Sequence, residues 1–214
     1  MDIKEQSPAQ FYPKKGNLTP GREIRAIGNF NDLGSIELFS DVVLKQTERS
    51  SNWFSESGNV LILPLFGALE VRENNKTGFI HINQIATFPV KAGTKMEFKN
   101  VYPDDSIRFI MIFRKGEAVK RPQTENYTFS TVNMLQQIYK DTFSILNLGQ
   151  FTGRTEAAYT RSKPDKSFFV YFIQGAFEVE ERLLEAGEAI YLWDQTELEL
   201  EALSNNAYLL VLEF

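Results

Sequence analysis

The sequence predicts an all-β protein made of two tandem barrels, and three observations carry that expectation. Residues 64–73 (PLFGALEVRE) return in outline as residues 172–181 (FIQGAFEVEE), and Gly67 and Gly175 are 108 positions apart in a chain of 214. Self-similarity at half the chain length is the mark of a duplicated structural unit. Short apolar or alternating runs also succeed one another at intervals of about 8 to 12 residues with turn signals between them, as in a β-sandwich or barrel. Finally, aromatic residues make up 13% of the chain, with 18 Phe, a composition suited to well-filled β cores.

Taken in order, residues 1–30 contain Pro8, Pro13, Gly16, Pro20 and Gly21, turn formers that read as a loop or arm. An N-terminal barrel over residues 31–113 opens with Ser35-Ile36-Glu37-Leu38-Phe39-Ser40, which alternates as a half-buried strand does, and Val42-Val43-Leu44 carries the apolar content across a bend. The run Val60-Leu61-Ile62-Leu63 precedes Gly67, and the polar turn Asn74-Asn75-Lys76-Thr77-Gly78 follows it. Alternating Lys95-Met96-Glu97-Phe98-Lys99 and the apolar segment 107–113 complete this half.

Residues 114–130 read as a linker, since Arg114, Lys115, Gly116, Lys120, Arg121 and Pro122 combine solvated charge with turn formers. The C-terminal barrel, residues 131–214, repeats the first. Its opening stretch, 131–141, fits a helical stripe through Val132, Leu135 and Ile138, and fits a strand as well. Residues 168–173 then supply the apolar run before Gly175, Ala186-Gly187-Glu188 the turn, 197–201 the alternating strand and 208–214 the closing strand. The offset falls from 108 at the glycines to 102 at the alternating strands, so the second copy has shorter hairpins.

Bulk properties narrow the function classes. A net charge of −5 gives no basic footprint for phosphate backbones, which excludes direct nucleic-acid binding as an expectation. No Cys is present, so disulfides, thiolate metal sites and cysteine nucleophiles are out. No apolar run approaches the ~18 residues of a membrane-spanning helix, and the first residues lack a signal-peptide apolar region, so a cytoplasmic protein without membrane contact is expected. There is no Gly-x-Ser-x-Gly elbow, phosphate-binding glycine loop or HExxH, and Ser55 and Ser57 beside Glu56 have no activating base. The one histidine, His81, falls in the run Phe79-Ile80-His81-Ile82 and is expected on the polar side of a strand.

Glu197, Glu199 and Glu201 share one strand face because side chains alternate with period two. Leu198 and Leu200 then claim the core side, so the glutamates project to solvent, and Glu178 and Glu180 do the same opposite Phe177 and Val179. An oxygen-ligand metal site converges from loops and is not expected along such a face.

A glycine after an apolar strand, then alternating residues, a polar hairpin, an Ala-Gly turn and a further strand resembles a cupin half-barrel, and two copies make a bicupin. Within that class the chain resembles the pirin-like proteins, particularly their shorter bacterial members. The resemblance spans roughly residues 30–214. It rests on Gly34-Ser35-Ile36-Glu37-Leu38-Phe39 with Asp41-Val42-Val43-Leu44, on 59–78 with its Gly-Ala-Leu-Glu-Val core, on Lys91-Ala92-Gly93-Thr94, and on Gly175-Ala176-Phe177 with 185–189.

Metal-bearing members of that family hold iron in the N-terminal barrel through a His-x-His pair and a His-x-Glu pair, donors suited to a non-heme iron with open positions. Counted from Gly67 and Gly93, the matching positions are Trp53 and Ser55, then Met96 and Phe98, none of them an ordinary iron ligand. A slip of one residue brings in Glu97 alone. The second half offers Lys163, Asp165 and Lys166 at the corresponding place.

The expectation is therefore a pirin-like bicupin without a metal cofactor that binds a small molecule or serves as a regulatory or interaction protein. Trp53, Met96 and Phe98 would line an apolar mouth, with Ser55 and Glu97 as polar contacts, or the same side chains would fill a packed barrel. The alternative the resemblance implies is an iron-dependent oxidoreductase like the quercetin 2,3-dioxygenases. Oligomeric state is left open.

Overall fold

Strand follows strand through the whole of the described chain. The computed structural model describes residues 8–14, 17–19, 22–29, 33–73 and 76–214, with the backbone alone at 17–19 and 22–29, and contains no helix among them. The first strands are β1 (Ala9–Tyr12), β2 (Asn17–Thr19), β3 (Arg22–Asn29), β4 (Ile36–Leu44), β5 (Arg49–Trp53) and β6 (Gly58–Phe66). Next come β7 (Leu69–Glu73), β8 (Lys76–Ile80), β9 (Gln84–Val90), β10 (Lys95–Lys99), β11 (Ile107–Lys115) and β12 (Gln123–Asn126). The second half holds β13 (Met134–Lys140), β14 (Ile145–Phe151), β15 (Glu156–Thr160), β16 (Phe168–Gln174) and β17 (Ala176–Val179). It ends with β18 (Arg182–Glu185), β19 (Ala189–Leu192), β20 (Glu197–Ala202) and β21 (Ala207–Glu213).

Contacts divide the chain into an N-terminal unit, Lys15–Tyr127, and a C-terminal unit, Met1–Lys14 with Thr128–Phe214. The N-terminal unit has a seven-stranded sheet, β12-β9-β6-β11-β4-β3-β2, and a four-stranded sheet, β5-β10-β7-β8. The C-terminal unit has a six-stranded sheet, β1-β19-β16-β21-β14-β13, and a four-stranded sheet, β15-β20-β17-β18. Shared strand order confirms the duplication: β9-β6-β11-β4 answers to β19-β16-β21-β14, and β5-β10-β7-β8 to β15-β20-β17-β18. The expected barrels are thus pairs of antiparallel sheets that do not close into one hydrogen-bonded ring.

The core of each unit lies between its two sheets. In the N-terminal unit Val60 and Ile62 of β6 meet Met96 and Phe98 of β10 and Phe109 of β11, with Phe98 and Phe109 ring centroids 5.3 Å apart. In the C-terminal unit Phe168 and Phe172 of β16 join Phe177, Leu198 and Leu209. Fully burying one such side chain stabilises the fold by roughly 1.5–3 kcal/mol, so these rows account for why period-two patterning fixes the strand faces.

Three segments differ from the sequence expectation. Within residues 1–30, expected as a loop, β1 pairs with β19, and β2 and β3 form a hairpin on β4. Pro8 and Pro13 stand just outside β1, where a missing N–H does no damage, so the turn formers bracket strands instead of replacing them. Within the expected linker, Arg114 and Lys115 finish β11, and β12 pairs with β9. In the opening stretch of the second half, the strand alternative holds, as β13 pairs with β14. Each departure is decided by a distant partner strand, which local composition does not reveal. Gly16, Pro20, Gly21 and the Asn74-Asn75 turn lie outside the described residues.

Candidate functional site

The positions matching the family metal site do not converge. Residue Lys95 pairs with Trp53 and Met96 with Asn52 across β10 and β5, so Trp53, Lys95 and Glu97 share the outer sheet face while Met96 and Phe98 face inward. Met96 is 0% and Phe98 1% exposed, whereas Trp53 is 68% exposed. Ser55 is an exposed residue in the bend after β5. Of the five expected ligand-binding residues, two therefore fill the core and three lie outside it, and the apolar mouth expected of Trp53, Met96 and Phe98 does not form.

The donors present do not fit the iron that the family resemblance implies. Two of the four matching positions are thioether and phenyl side chains packed among Phe54, Phe109 and Phe113, and the other two point to solvent. Among the described residues no group of three or more His, Cys, Asp or Glu is placed to hold a metal ion. His81 is exposed and sits in the turn between β8 and β9, not in a strand as expected, because its N–H donates to Gln84 Oε1 (2.9 Å) and its carbonyl accepts from Gln84 N (3.2 Å).

What the N-terminal unit does offer is a cleft on the outer face of β5-β10-β7-β8. A hollow of about 330 Å³ is lined by Arg49, Ser51, Glu70, Arg72, Glu97 and Lys99. A neighbouring hollow of about 390 Å³ is lined by Trp53, Arg72, Gly93, Lys95 and Glu97. The Lys95 ammonium lies 5.9 Å from the Trp53 ring centroid and 2.7 Å from Glu97 Oε1. The hydrogen bond and charge of Lys95 hold the Glu97 carboxyl below the ordinary glutamate range. Lys99 reaches Glu70 at 3.8 Å.

The same cleft recurs in the C-terminal unit with different chemistry. Its hollow, about 470 Å³, is lined by Glu156, Ala158, Glu178, Glu180, Glu199 and Glu201 on the outer face of β15-β20-β17-β18. Leu198 and Leu200 are buried and Glu197 and Glu199 exposed, as the alternation required.

A second polar feature lies inside the C-terminal unit. Glu213, 1% exposed, is on the same row of β21 as the core residues Leu209 and Val211. Its carboxylate accepts from Tyr159 Oη (2.9 Å), from Ser162 N (3.0 Å) and from the Ser162 hydroxyl. Burial, and next the hydrogen bond to Glu213, push the Tyr159 phenol up to about 12.

Apart from Trp53 and Glu97, the polar residues of both clefts escaped the site expectation, although a signal was present. Lys95-x-Glu97-x-Lys99 aligned with Glu197-x-Glu199-x-Glu201 in the repeat already juxtaposes opposite charges at equal positions. Glu213 likewise announces itself as one carboxylate in an otherwise apolar closing strand.

Residues 137–214 match the family described as the Quercetinase C-terminal cupin domain. No curated protein sequence matches the chain. Among solved structures the fold is similar to YhhW from Escherichia coli, at a TM-score of 0.76 over 97% of each chain and 10% identity. It is likewise similar to the bacterial pirin YhhW from Escherichia coli in complex with nickel(II), at a TM-score of 0.75 over 97% of this chain and 99% of that one, again at 10% identity. Quercetin 2,3-dioxygenase from Acinetobacter baumannii is similar at a TM-score of 0.72 and 15% identity, over 95% of this chain and 85% of that one. Residues 137–214 thus fall in that cupin family, and the chain as a whole has a tandem-cupin fold shared nearly end to end with a bacterial pirin.

Proposed function

We propose that this pirin-like bicupin works by binding, through the outer faces of its four-stranded sheets, and not by metal-dependent oxygenation within its N-terminal unit. The observation that carries this reading is the inward placement of Met96 and Phe98, which occupy with apolar groups two of the four positions where the resemblance would put iron ligands. The core cluster of the N-terminal unit is apolar, and the clefts that open to solvent present charge and an exposed indole, the residue types through which binding surfaces recognise partners.

A second reading, a quercetin 2,3-dioxygenase-like oxidoreductase, is favoured by the family match over residues 137–214 and by the fold shared with the Acinetobacter enzyme. One experiment separates the two. Protein purified without chelator is assayed for bound metal and for quercetin consumption, with iron, copper, manganese or nickel added and then removed by chelation. The binding reading expects substoichiometric metal and quercetin loss no faster than in buffer with the same metal. Turnover that tracks metal content and stops on chelation would replace it with the oxidoreductase reading.

A further inference from the structure

The two outer clefts are related position by position, and the relation inverts charge. In the N-terminal unit Arg49 pairs with Lys99 across β5 and β10, and Trp53 with Lys95. In the C-terminal unit Glu156 pairs with Glu201 across β15 and β20, and Thr160 with Glu197. The strand order is the same in the two sheets, so Arg49 answers to Glu156, Lys99 to Glu201 and Lys95 to Glu197. Arg72 and Glu180 stand 108 positions apart, the spacing of the repeat glycines, and both line the cleft. Every basic residue in this set is replaced by glutamate at the equivalent position, while Glu70 and Glu97 remain glutamates as Glu178 and Glu199.

Over these six equivalent positions the N-terminal face carries four cations and two carboxylates, net +2, and the C-terminal face six carboxylates, net −6. Ion pairs within the faces soften this without cancelling it: Lys95–Glu97 and Lys99–Glu70 on the first, Arg154–Glu201 at 3.4 Å on the second. Large apolar side chains also stand exposed at equivalent places. Phe79 lies opposite Glu70 and Leu183 opposite Glu178, with 52% and 71% exposure.

We propose that the outer face of β5-β10-β7-β8 in one molecule docks on the outer face of β15-β20-β17-β18 in a second copy of this chain. The inference names the partner for the faces invoked under Proposed function and rests on that reading. Two faces of one β architecture share twist and spacing, which suits aligned sheet-on-sheet contact. Opposite potential then selects the unlike pairing, because two N-terminal faces or two C-terminal faces would set like charges against each other. A face four strands wide and five residues long spans roughly 15 Å by 17 Å. That is well below the roughly 800 Å² per partner of a standard interface, so one face pair gives a weak, salt-sensitive contact. Where both faces of two molecules engage, a symmetric dimer doubles the contact, and where they do not, open chains form.

Sedimentation velocity of the full chain over a concentration series tests the proposal. The expected result is concentration-dependent association that is lost as salt rises from about 0.1 M to about 1 M and the Debye length falls from about 10 Å to about 3 Å. R49E/K99E takes the first face to net −2, so that both faces are acidic, and E156R/E178K/E199K/E201K takes the second face to net +2, so that both are basic. Each variant alone is expected to sediment as a monomer, and an equimolar mixture to associate again. Wild-type protein that stays monomeric at every concentration at low salt overturns the proposal, as do variants that each associate as well as wild type. Neither outcome bears on metal content or quercetin turnover, so the failure of this proposal and of the binding reading are distinguishable.

Discussion

Arg108 grips Asp41 across the β4 and β11 pair, with Nε 2.9 Å from Oδ1 and Nη2 2.5 Å from Oδ2. Asp41 is 0% exposed and the Arg108 side chain 22%, so the carboxylate has given up its water for this fork. Removing one member of a buried ion pair takes away a charged partner of the other, at a cost of up to about 3–5 kcal/mol. Urea denaturation of Arg108→Met is expected to show a loss of that size, and Asp41→Leu combined with Arg108→Met a smaller one. A single-variant loss below about 1 kcal/mol would rank the pair with ordinary surface bridges.

Phe98 and Trp53 were expected in one site, and their opposite environments predict opposite sensitivities. Phe98 touches the core cluster and lies 5.3 Å from the Phe109 ring. Its replacement by alanine removes a large buried side chain and leaves a cavity, so Phe98→Ala is expected to destabilise by about 3–5 kcal/mol. Trp53→Ala, at a 68% exposed position, is expected within about 0.5 kcal/mol of wild type. Thermal or urea unfolding of the two variants checks both. A Trp53→Ala loss comparable to that of Phe98→Ala would mean the indole is packed.

The contrast between these residues also marks how far sequence reasoning reached. Strand alternation and the repeat were legible because side-chain facing obeys period two and because Gly67 and Gly175 anchor equivalent turns. The equivalence of the two four-stranded sheets follows from that pattern, and their strand order does not. Counting from the glycines located Trp53 and Met96 but not their faces, since facing depends on which residue sits across the ladder, and Trp53 opposes Lys95. The strands β1 and β12 were illegible for the same reason: each is short, and what makes it a strand is an edge supplied by β19 or β9. Charge inversion between the clefts was half visible, at Lys95 and Lys99 against Glu197 and Glu201, whereas Arg49 against Glu156 needed the register.

The repeat glycines should resist substitution. Gly67 has φ +73° and Gly175 φ +80°, in the left-handed region that a β-carbon penalises by about 1–2 kcal/mol. Space is closed as well: a Cβ on Gly67 would come 2.6 Å from Ile107 Cγ2, and one on Gly175 would meet Ser204 Oγ and the Ala207 backbone. Added to the overpacking cost of about 1–3 kcal/mol, Gly67→Ala and Gly175→Ala are each expected to lose several kcal/mol in urea unfolding. Gly34→Ala, at φ +58° with open space around it, is expected to lose only the backbone part.

Alkaline pH should loosen the C-terminal unit through Tyr159. Burial first, and the hydrogen bond to Glu213 second, raise its phenol from 10 to about 12 in the folded protein. Below pH 10 the phenol is protonated in both folded and unfolded chains, and its contribution to stability is fully present. Between pH 10 and about 12 the unfolded chain sheds the proton while the folded one keeps it, so folding stability falls across that window. Tyr127, also raised to about 12 by burial, adds a parallel loss. Phenolate absorbance is expected to show one late-titrating tyrosine fewer in folded Tyr159→Phe than in the folded wild type. Unfolding measured across the same window is expected to fall less steeply in the variant, because the slope tracks the difference in bound protons between the two states. A variant whose stability declines as steeply as wild type would show that Tyr159 ionises alike in both.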